Sequence, residues 1–236
     1  MVSLCIDGRL FDNGAGLKTP VEVLYEDEAV VAIDKPPGLL AVPFAGSSAP
    51  SALVLLRERG GHVGVVHRID RFASGVLLFA KTKKDREALV RQFLAHTPLR
   101  EYVAVVRGRI EPGEQTLVHH FERSGMRQKL RAEHDSAAAR AELRYSVERA
   151  LKGATLVRVA LVTGLQNQIR AQFAAIGHPV VGDRKYRPAE AEERLIDRVA
   201  LHAARLEFVH PRTRKATSIE CPPPADFRRL VRALGR

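Results

Sequence analysis

The sequence predicts an α+β fold, because strand-type segments outnumber helical ones and do not alternate with them in a regular βαβ rhythm. Two further observations support one substantial core, or two subdomains that share a cleft: 45% of the 236 residues are hydrophobic, and no tract is repeated or of low complexity. This pattern favours a mixed or mostly antiparallel sheet flanked by a few helices.

Local signals place the elements of the first hundred residues. Residues 1–20 predict a loose N-terminal extension or a short edge strand, and the apolar run at 29–33 predicts a strand that ends in the turn Pro36-Pro37-Gly38. Residues 51–59 are typical of a short helix stopped by two glycines. A second helix is expected to begin at Thr82, because an aspartate follows three residues later at capping-box spacing.

The rest of the chain alternates apolar and polar residues as strands do, and it also carries helical stripes. A helix is predicted around Ile169 and Phe173 and ends at Gly177, with Arg170 at the flank of its buried stripe. The predicted strands cover residues 99–106, 142–148, 156–162 and 202–208. A C-terminal helix carries the apolar residues Phe227, Leu230, Val231 and Leu234.

Charge and cysteine content restrict the classes of partner and compartment. The formal net charge of +11 and the pI near 10.2 predict a polyanionic partner. Nucleic acid is favoured over a membrane surface because no amphipathic basic segment dominates, and mere solubility is the alternative. Cys5 and Cys221 stand far apart, which argues against a disulfide framework and fits a reducing compartment. Without a leader or a long apolar run, we expect a cytoplasmic protein that contacts no membrane.

Asp70 is the best candidate for chemistry. It is a lone carboxylate between Arg68 and Arg71, which favour its charged form, and it precedes the small pair Ser74-Gly75 and a buried-looking strand. A carboxylate on a turn before a core strand is rigidly presented. A structural ion pair is the competing interpretation, because charged neighbours also occur in structural networks.

The residues around Asp70 resemble a motif of a known family. His67-Arg68-Ile69-Asp70-Arg71-Phe72-Ala73-Ser74-Gly75 is similar to the His-Arg-Leu-Asp-x-x-Thr-Ser-Gly motif of the RluA-like pseudouridine synthases. Further blocks match the family in the same order over roughly residues 21–224, and ordered blocks are far more specific than one motif. They are Tyr25-Glu26-Asp27-Glu28 with Asp34-Lys35-Pro36-Pro37-Gly38, Arg100-Glu101-Tyr102-Val103-Ala104-Val105-Val106-Arg107-Gly108, Thr163-Gly164 to Gln168-Ile169-Arg170 with Gly177-His178-Pro179-Val180-Val181-Gly182-Asp183, and Leu201-His202-Ala203 to His210-Pro211.

The resemblance implies a fold and a reaction. The fold is a long, bent, mostly antiparallel sheet with a central active-site cleft, formed here by residues 21–236. Residues 1–20 would be an extension, without the separate RNA-binding domain that many relatives carry. The reaction converts uridine in RNA to pseudouridine, breaking the N1–C1′ bond and joining C5 to C1′. No atom is added and no redox change occurs, so we expect neither a cofactor nor a metal.

The resemblance also implies residue roles. Asp70 matches the catalytic aspartate, which attacks C1′ or removes a proton from C2′. Tyr102 matches a tyrosine that packs against the uracil, and Arg170 matches the arginine that pairs with the aspartate. Arg68 is placed to assist extrusion of the base. The ordinary alternatives are a core tyrosine, an exposed helix arginine and a phosphate contact. The remaining substrate-binding candidates are His67, Arg71 and Ile169; for His67 a structural role is the better prediction.

Two departures from the family pattern concern substrate recognition. Leu165-Gln166-Asn167 replaces the family's cation and histidine, and Ala73 stands where threonine is usual. Both leave the catalytic set whole. The basic segment 109–140 predicts either an RNA-gripping insertion or a solvated hairpin. Its cationic and imidazole residues include His119, His120, Arg123, Arg127, Lys129, Arg131 and His134.

We therefore expect a synthase that acts as a monomer on ribosomal or transfer RNA. A non-catalytic RNA-binding protein that keeps the fold is the alternative suggested by the basic charge and the changed residues 165–167. A glycoside-cleaving enzyme acting on a nucleotide is a third possibility. It would need a second carboxylate, for which Asp183 is the candidate, although a structural role for Asp183 is the better prediction.

Overall fold

The computed structural model describes residues 4–12, 18–46, 49–60, 62–125, 127–133, 135–186 and 196–235, with side chains from residue 21 onward. Residues 1–3 and 13–17 of the predicted N-terminal extension lie outside these ranges. The chain divides into two compact units, which comprise Met1–Leu99 with Ala203–Pro222 and Arg100–His202 with Pro223–Arg236. Within the described ranges, no helix is long and apolar enough to cross a membrane.

Twelve strands and four helices are formed by the described residues. In chain order they are β1 Leu4–Asp12, β2 Lys18–Glu26, β3 Val30–Lys35, α1 Ala52–Glu58, β4 Gly64–Val65, β5 Ser74–Ala80, α2 Lys83–Leu94, β6 Leu99–Arg107, β7 Glu114–Ser124, β8 Arg127–Arg131, β9 Ala139–Leu151, β10 Ala154–Leu161, α3 Gln168–Ala175, β11 Leu201–Val209, β12 Ala216–Glu220 and α4 Ala225–Leu234. The predicted α+β class is confirmed.

The sheet of the first unit has the strand order β1-β2-β3-β5-β11, with β4 paired to β5 and β12 paired to β11. The pairs β1–β2, β2–β3, β3–β5, β4–β5 and β11–β12 are all antiparallel. Of the two alternatives for the N-terminal residues, the structure shows an edge strand, because β1 pairs with β2 alone.

Strand β5 is buried along its whole length because hydrophobic side chains cover both of its faces. Leu77 and Phe79 belong to one cluster, together with residues of α1. Val76 and Leu78 point to the opposite face and belong to a second cluster, which includes Leu89 of α2. The segment that enters β5 is therefore anchored between two packed cores.

The sheet of the second unit has the order β6-β10-β9-β7-β8, and each of these pairs is antiparallel. Helix α3 packs on one face of this sheet, where the rings of Phe173 and Tyr145 meet edge-on with centroids 5.1 Å apart. Helix α4 buries Phe227, Leu230 and Val231, as its apolar stripe predicted. The basic segment forms the hairpin of β7 and β8.

The helix starts follow from local capping chemistry. The Thr82 hydroxyl accepts the Asp85 N–H at 3.1 Å and donates to the Asp85 carboxylate at 2.6 Å, which satisfies an otherwise unpaired donor of α2. The Ser51 hydroxyl accepts the Val54 N–H at the start of α1. Both predicted helix starts are confirmed.

Candidate active site

Asp70 lies in the loop of residues 66–73, which joins the antiparallel strands β4 and β5. Its carbonyl oxygen accepts the Ala73 N–H at 3.1 Å and so closes a tight turn. The neighbours Ile69 and Ala73 are 7% and 1% exposed, whereas Asp70 is half-buried. The loop is thus fixed at its apolar residues, and the carboxylate lies at its partly exposed tip.

A buried lysine ties this loop to the Pro-Pro-Gly turn. Lys35 is fully buried, and its Nζ donates to the carbonyl oxygens of Pro36 at 2.8 Å, Leu39 at 3.0 Å and Arg71 at 3.0 Å. Arg71 and Gly38 exchange two further bonds: the Gly38 N–H donates to the Arg71 carbonyl, and Arg71 Nε donates to the Gly38 carbonyl. The two segments therefore hold one geometry, although 36 positions separate Lys35 from Arg71.

Lys35→Met is expected to lower the free energy of unfolding by about 2–5 kcal/mol, because buried carbonyl groups lose the ammonium that satisfies them. Urea unfolding measures this change. The matched control is Lys83→Met at an exposed position of α2, for which we expect a change within about 0.5 kcal/mol. A Lys35→Met protein as stable as the control variant would show that the three bonds contribute nothing.

The remaining motif residues divide into buried supports and exposed groups. His67 Nε2 accepts the Leu78 N–H at 3.0 Å, and its ring stacks on Phe93 with centroids 4.6 Å apart. This arrangement supports the structural role that was the better prediction for His67. The side chains of Arg68 and Arg71 are exposed.

Gly75 is required where the loop enters β5. Its φ is 108°, a backbone conformation that residues other than glycine rarely adopt. A Cβ at this position would lie 2.2 Å from the carbonyl oxygen of Ala203. The Ser-Gly pair after Asp70 is therefore explained by a close approach of two backbone segments.

In the second unit, Arg170 is held by a buried carboxylate. Its Nε and Nη2 donate to the two oxygens of Asp183 at 2.7 and 2.8 Å, and its Nη1 donates to the Asn167 amide oxygen at 2.9 Å. Arg170 is only 8% exposed, so the prediction that it flanks the buried stripe of its helix is wrong. The helix is buried on more than one face because its polar side chains have partners inside the protein.

Asp183 is saturated with hydrogen bonds. Besides Arg170, its carboxylate accepts the N–H groups of Lys185 at 2.8 Å and Tyr186 at 3.1 Å, and its side chain is fully buried. The ring of Tyr186 lies 5.5 Å from the Arg170 guanidinium carbon. Burial raises the pKa of the Tyr186 phenol, whose oxygen accepts the Gln128 N–H. These contacts support the structural role for Asp183, and they count against Asp183 as the second carboxylate of the glycoside-cleaving alternative.

Two buried glutamines position α3, and the sequence reasoning missed both. The Gln168 and Gln172 side chains bond each other at 2.9 Å, one turn apart. Gln172 Nε2 donates to the carbonyls of Leu117 and Ala141 on β7 and β9, and Gln168 bonds the Thr163 hydroxyl. The available signal was a pair of amides at i, i+4 spacing within a helix, which sequence alone does not distinguish from a solvated pair.

Tyr102 lies on the face of the sheet that α3 covers. Tyr102 is 8% exposed and pairs with Val159 of β10. Val159 in turn pairs with Tyr145 of β9, whose ring contacts Phe173 of α3. Directly opposed residues share one face of a sheet. Ile169, predicted to bind substrate, is 4% exposed within α3.

Residues 165–167, which depart from the family pattern, support α3 from its N-terminal side. Leu165 packs on the cluster of Phe121, Ala141 and Ala171. The Gln166 carbonyl accepts Gln128 Nε2 at 3.0 Å, which joins this segment to β8. Asn167 has the left-handed φ of 55° that asparagine tolerates better than most residues. The β7–β8 hairpin thus contacts and supports the segment before α3, in addition to carrying cationic side chains. His134 of the basic segment lies outside the described residues.

Comparison with known proteins places this site in a family. Residues 29–175 match the family model described as RNA pseudouridylate synthase. The chain is 38% identical over 197 residues to the Dual-specificity RNA pseudouridine synthase RluA of Vibrio cholerae, covering 82% of this chain and 79% of that protein. It is 34% identical over 236 residues to the Ribosomal large subunit pseudouridine synthase D of Zymomonas mobilis, covering 91% and 73%.

Solved structures show the same fold at lower identity. Human RNA Pseudouridylate Synthase Domain Containing 4 superposes with a TM-score of 0.74 at 19% identity, covering 90% of this chain and 92% of that one. Human RNA Pseudouridylate Synthase Domain Containing 1 gives a TM-score of 0.71 at 22% identity over 86% and 84% of the chains. The fold similarity therefore extends well beyond the residues matched by the family model.

Proposed function

The chain belongs to the RluA-like family of RNA pseudouridine synthases, and from this premise we propose that it isomerises uridine in ribosomal RNA with Asp70 as its catalytic carboxylate. The enzyme is an isomerase that converts uridine in RNA to pseudouridine. The observation that carries the assignment to Asp70 is the fixed loop between β4 and β5, which presents one half-buried carboxylate beside a fully buried core strand.

The chemistry needs an ionised carboxylate near the sugar. Asp70 either attacks C1′ or removes a proton from C2′ as the N1–C1′ bond breaks, and in both cases uracil is released and turned. C5 then joins C1′, which displaces the Asp70 oxygen in the first version and is accompanied by return of the proton to C2′ in the second. The proton on C5 is then lost. Tyr102 packs against the uracil ring in this proposal, and its phenol is the group that removes this proton.

Arg170 orients Asp70 in the proposed mechanism. A guanidinium has five N–H donors in a planar fork, so one arginine can bond Asp183, Asn167 and a further carboxylate at the same time. Arg68, with its exposed side chain, assists extrusion of the base or binds phosphate. His67 and Arg71 support the loop, and Ile169 supports Arg170 within α3.

Ribosomal RNA is the proposed substrate because several relatives are named ribosomal large subunit pseudouridine synthases. Transfer RNA stays the second candidate, and other relatives are named dual-specificity RNA pseudouridine synthases, without naming the RNA. The formal charge of +11 suits either polyanion. We propose that the protein acts in the cytoplasm as a monomer.

The experiment that tests the function is release of tritium from RNA labelled at uridine C5, because the C5 proton is lost when C5 joins C1′. Ribosomal and transfer RNA are assayed separately with no added cofactor, and we expect release from ribosomal RNA. Tight RNA binding without release from either RNA would favour the non-catalytic alternative. The family match makes that alternative the weaker one.

A further inference from the structure

An exposed aromatic ring stands beside the proposed catalytic carboxylate. Phe72 is 48% exposed and lies two residues after Asp70, so their Cα atoms are at most about 7 Å apart. The next residue, Ala73, is 1% exposed. The loop therefore buries its small residue and leaves its largest apolar side chain in solvent.

The ring of Phe72 is covered on one side by a cation. The guanidinium carbon of Arg71 lies 5.3 Å from the ring centroid, within the range of a cation–π contact. Arg71 is itself fixed, because its Nε donates to the Gly38 carbonyl and its own carbonyl accepts from Lys35 and Gly38. Among the residues that the structure describes, Arg71 is the one charged or aromatic group stacked on Phe72.

We propose that Arg71 and Phe72 form a stacking subsite for a nucleobase that neighbours the isomerised uridine in the RNA. The inference rests on the proposed function, because it uses the position of Asp70 to locate the reacting nucleotide. Single-stranded bases in protein complexes stack on aromatic rings and guanidinium planes, and every base offers a π face for this contact. The Arg71 guanidinium, already held by its hydrogen bond to the Gly38 carbonyl, loses little conformational freedom on binding.

The chemistry of this subsite defines its ligand class. The pair carries one positive charge and an open apolar face, which matches an unpaired base followed by its phosphate and not an isolated anion. The base that stacks on Phe72 belongs to the nucleotide next to the extruded uridine. While it is bound there, it does not return to the base stack of the RNA. The subsite is therefore expected to discriminate between uridines by the flexibility of the adjacent nucleotide.

The test compares Phe72→Ala, Phe72→Leu and Phe72→Trp by single-turnover kinetics on large-subunit ribosomal RNA transcribed without modification. Loss of stacking in Phe72→Ala is expected to raise the enzyme concentration at half-maximal rate by about 5- to 100-fold. Phe72→Leu is expected to behave like Phe72→Ala, whereas Phe72→Trp stays within about 2-fold of the wild type. Leu94→Ala, an exposed apolar truncation on α2, is the control and leaves the rate unchanged.

Abasic nucleotides then identify the partner base. A synthetic stem-loop that carries the modified uridine is made with one neighbouring nucleotide at a time abasic, and the penalty of Phe72→Ala should vanish at one position. An unchanged half-maximal concentration in Phe72→Ala, or full activity of Phe72→Leu, would overturn the stacking subsite. Failure of the proposed function would differ from failure of the subsite, because the wild-type enzyme itself would then make no pseudouridine. In that case, filter binding of the same RNA to the same variants would still decide whether Phe72 stacks on a base.

Discussion

Replacement of Asp70 by asparagine is expected to abolish pseudouridine formation, lowering the single-turnover rate by about 10⁴-fold or more. The amide keeps the shape of the side chain but is neither a nucleophile nor a base at neutral pH. Both versions of the proposed mechanism require the carboxylate, so the loss does not depend on which one operates. Tritium release from C5-labelled ribosomal RNA measures it.

The same variant should fold and bind RNA as the wild type does. The loop is held by the Ala73 N–H, by Lys35 and by the buried β5 strand, and these supports act on backbone atoms or on other side chains. We expect the free energy of unfolding to change by less than about 1 kcal/mol. Glu87→Gln, the same chemical change at an exposed position of α2, controls for loss of negative charge. Pseudouridine made by Asp70→Asn at the control's rate would remove Asp70 from the reaction.

Features that depend on neighbouring residues in the chain were predictable from sequence. The start of α2 follows from Thr82 and Asp85, whose side chains bond each other across three positions. The start of α1 likewise follows from Ser51, whose hydroxyl accepts the Val54 N–H three positions later. In each case the interaction that decides the structure lies within a few residues, where propensity and capping rules apply.

Features that depend on distant partners were not predictable. The helical period placed Arg170 beside a single buried stripe, but Asp183 and Asn167 allow the whole guanidinium to be buried. Likewise, Lys35 reads as an ordinary strand lysine until its contact with Arg71 is known. Periodicity measures where apolar side chains fall, and it contains no information about whether a charged side chain has a buried partner.

Both units use a buried charged side chain to fix a residue of the proposed mechanism. In the first unit the Lys35 ammonium fixes the loop of Asp70, and in the second the Asp183 carboxylate fixes the guanidinium of Arg170. Burial of a charge gives little net stability, since desolvation offsets most of the attraction. Its benefit here is geometric: a fully bonded charge has one position, and a reacting group must be held within a fraction of an ångström.

Asp183→Asn is accordingly expected to be the most destabilising isosteric change in the second unit. It removes the charge of the carboxylate that holds the buried guanidinium of Arg170 through two bonds, and it replaces one accepting oxygen by a donating NH₂ group. Breaking a buried ion pair from one side costs about 3–5 kcal/mol. Urea unfolding measures this loss, and tritium release at a temperature where the variant stays folded measures the expected fall in rate, because Arg170 no longer holds its position.

The matched control is Asp226→Asn, which breaks a second two-bonded arginine–aspartate pair among the described residues of this unit, that of Arg198 and Asp226. It should also lower stability, by a smaller amount because the Asp226 side chain is 32% exposed, while the rate per folded molecule stays unchanged. A general loosening of the unit would slow both variants equally. A loss of rate confined to Asp183→Asn would instead mean that the fixed orientation of Arg170, and not stability alone, is what the reaction requires.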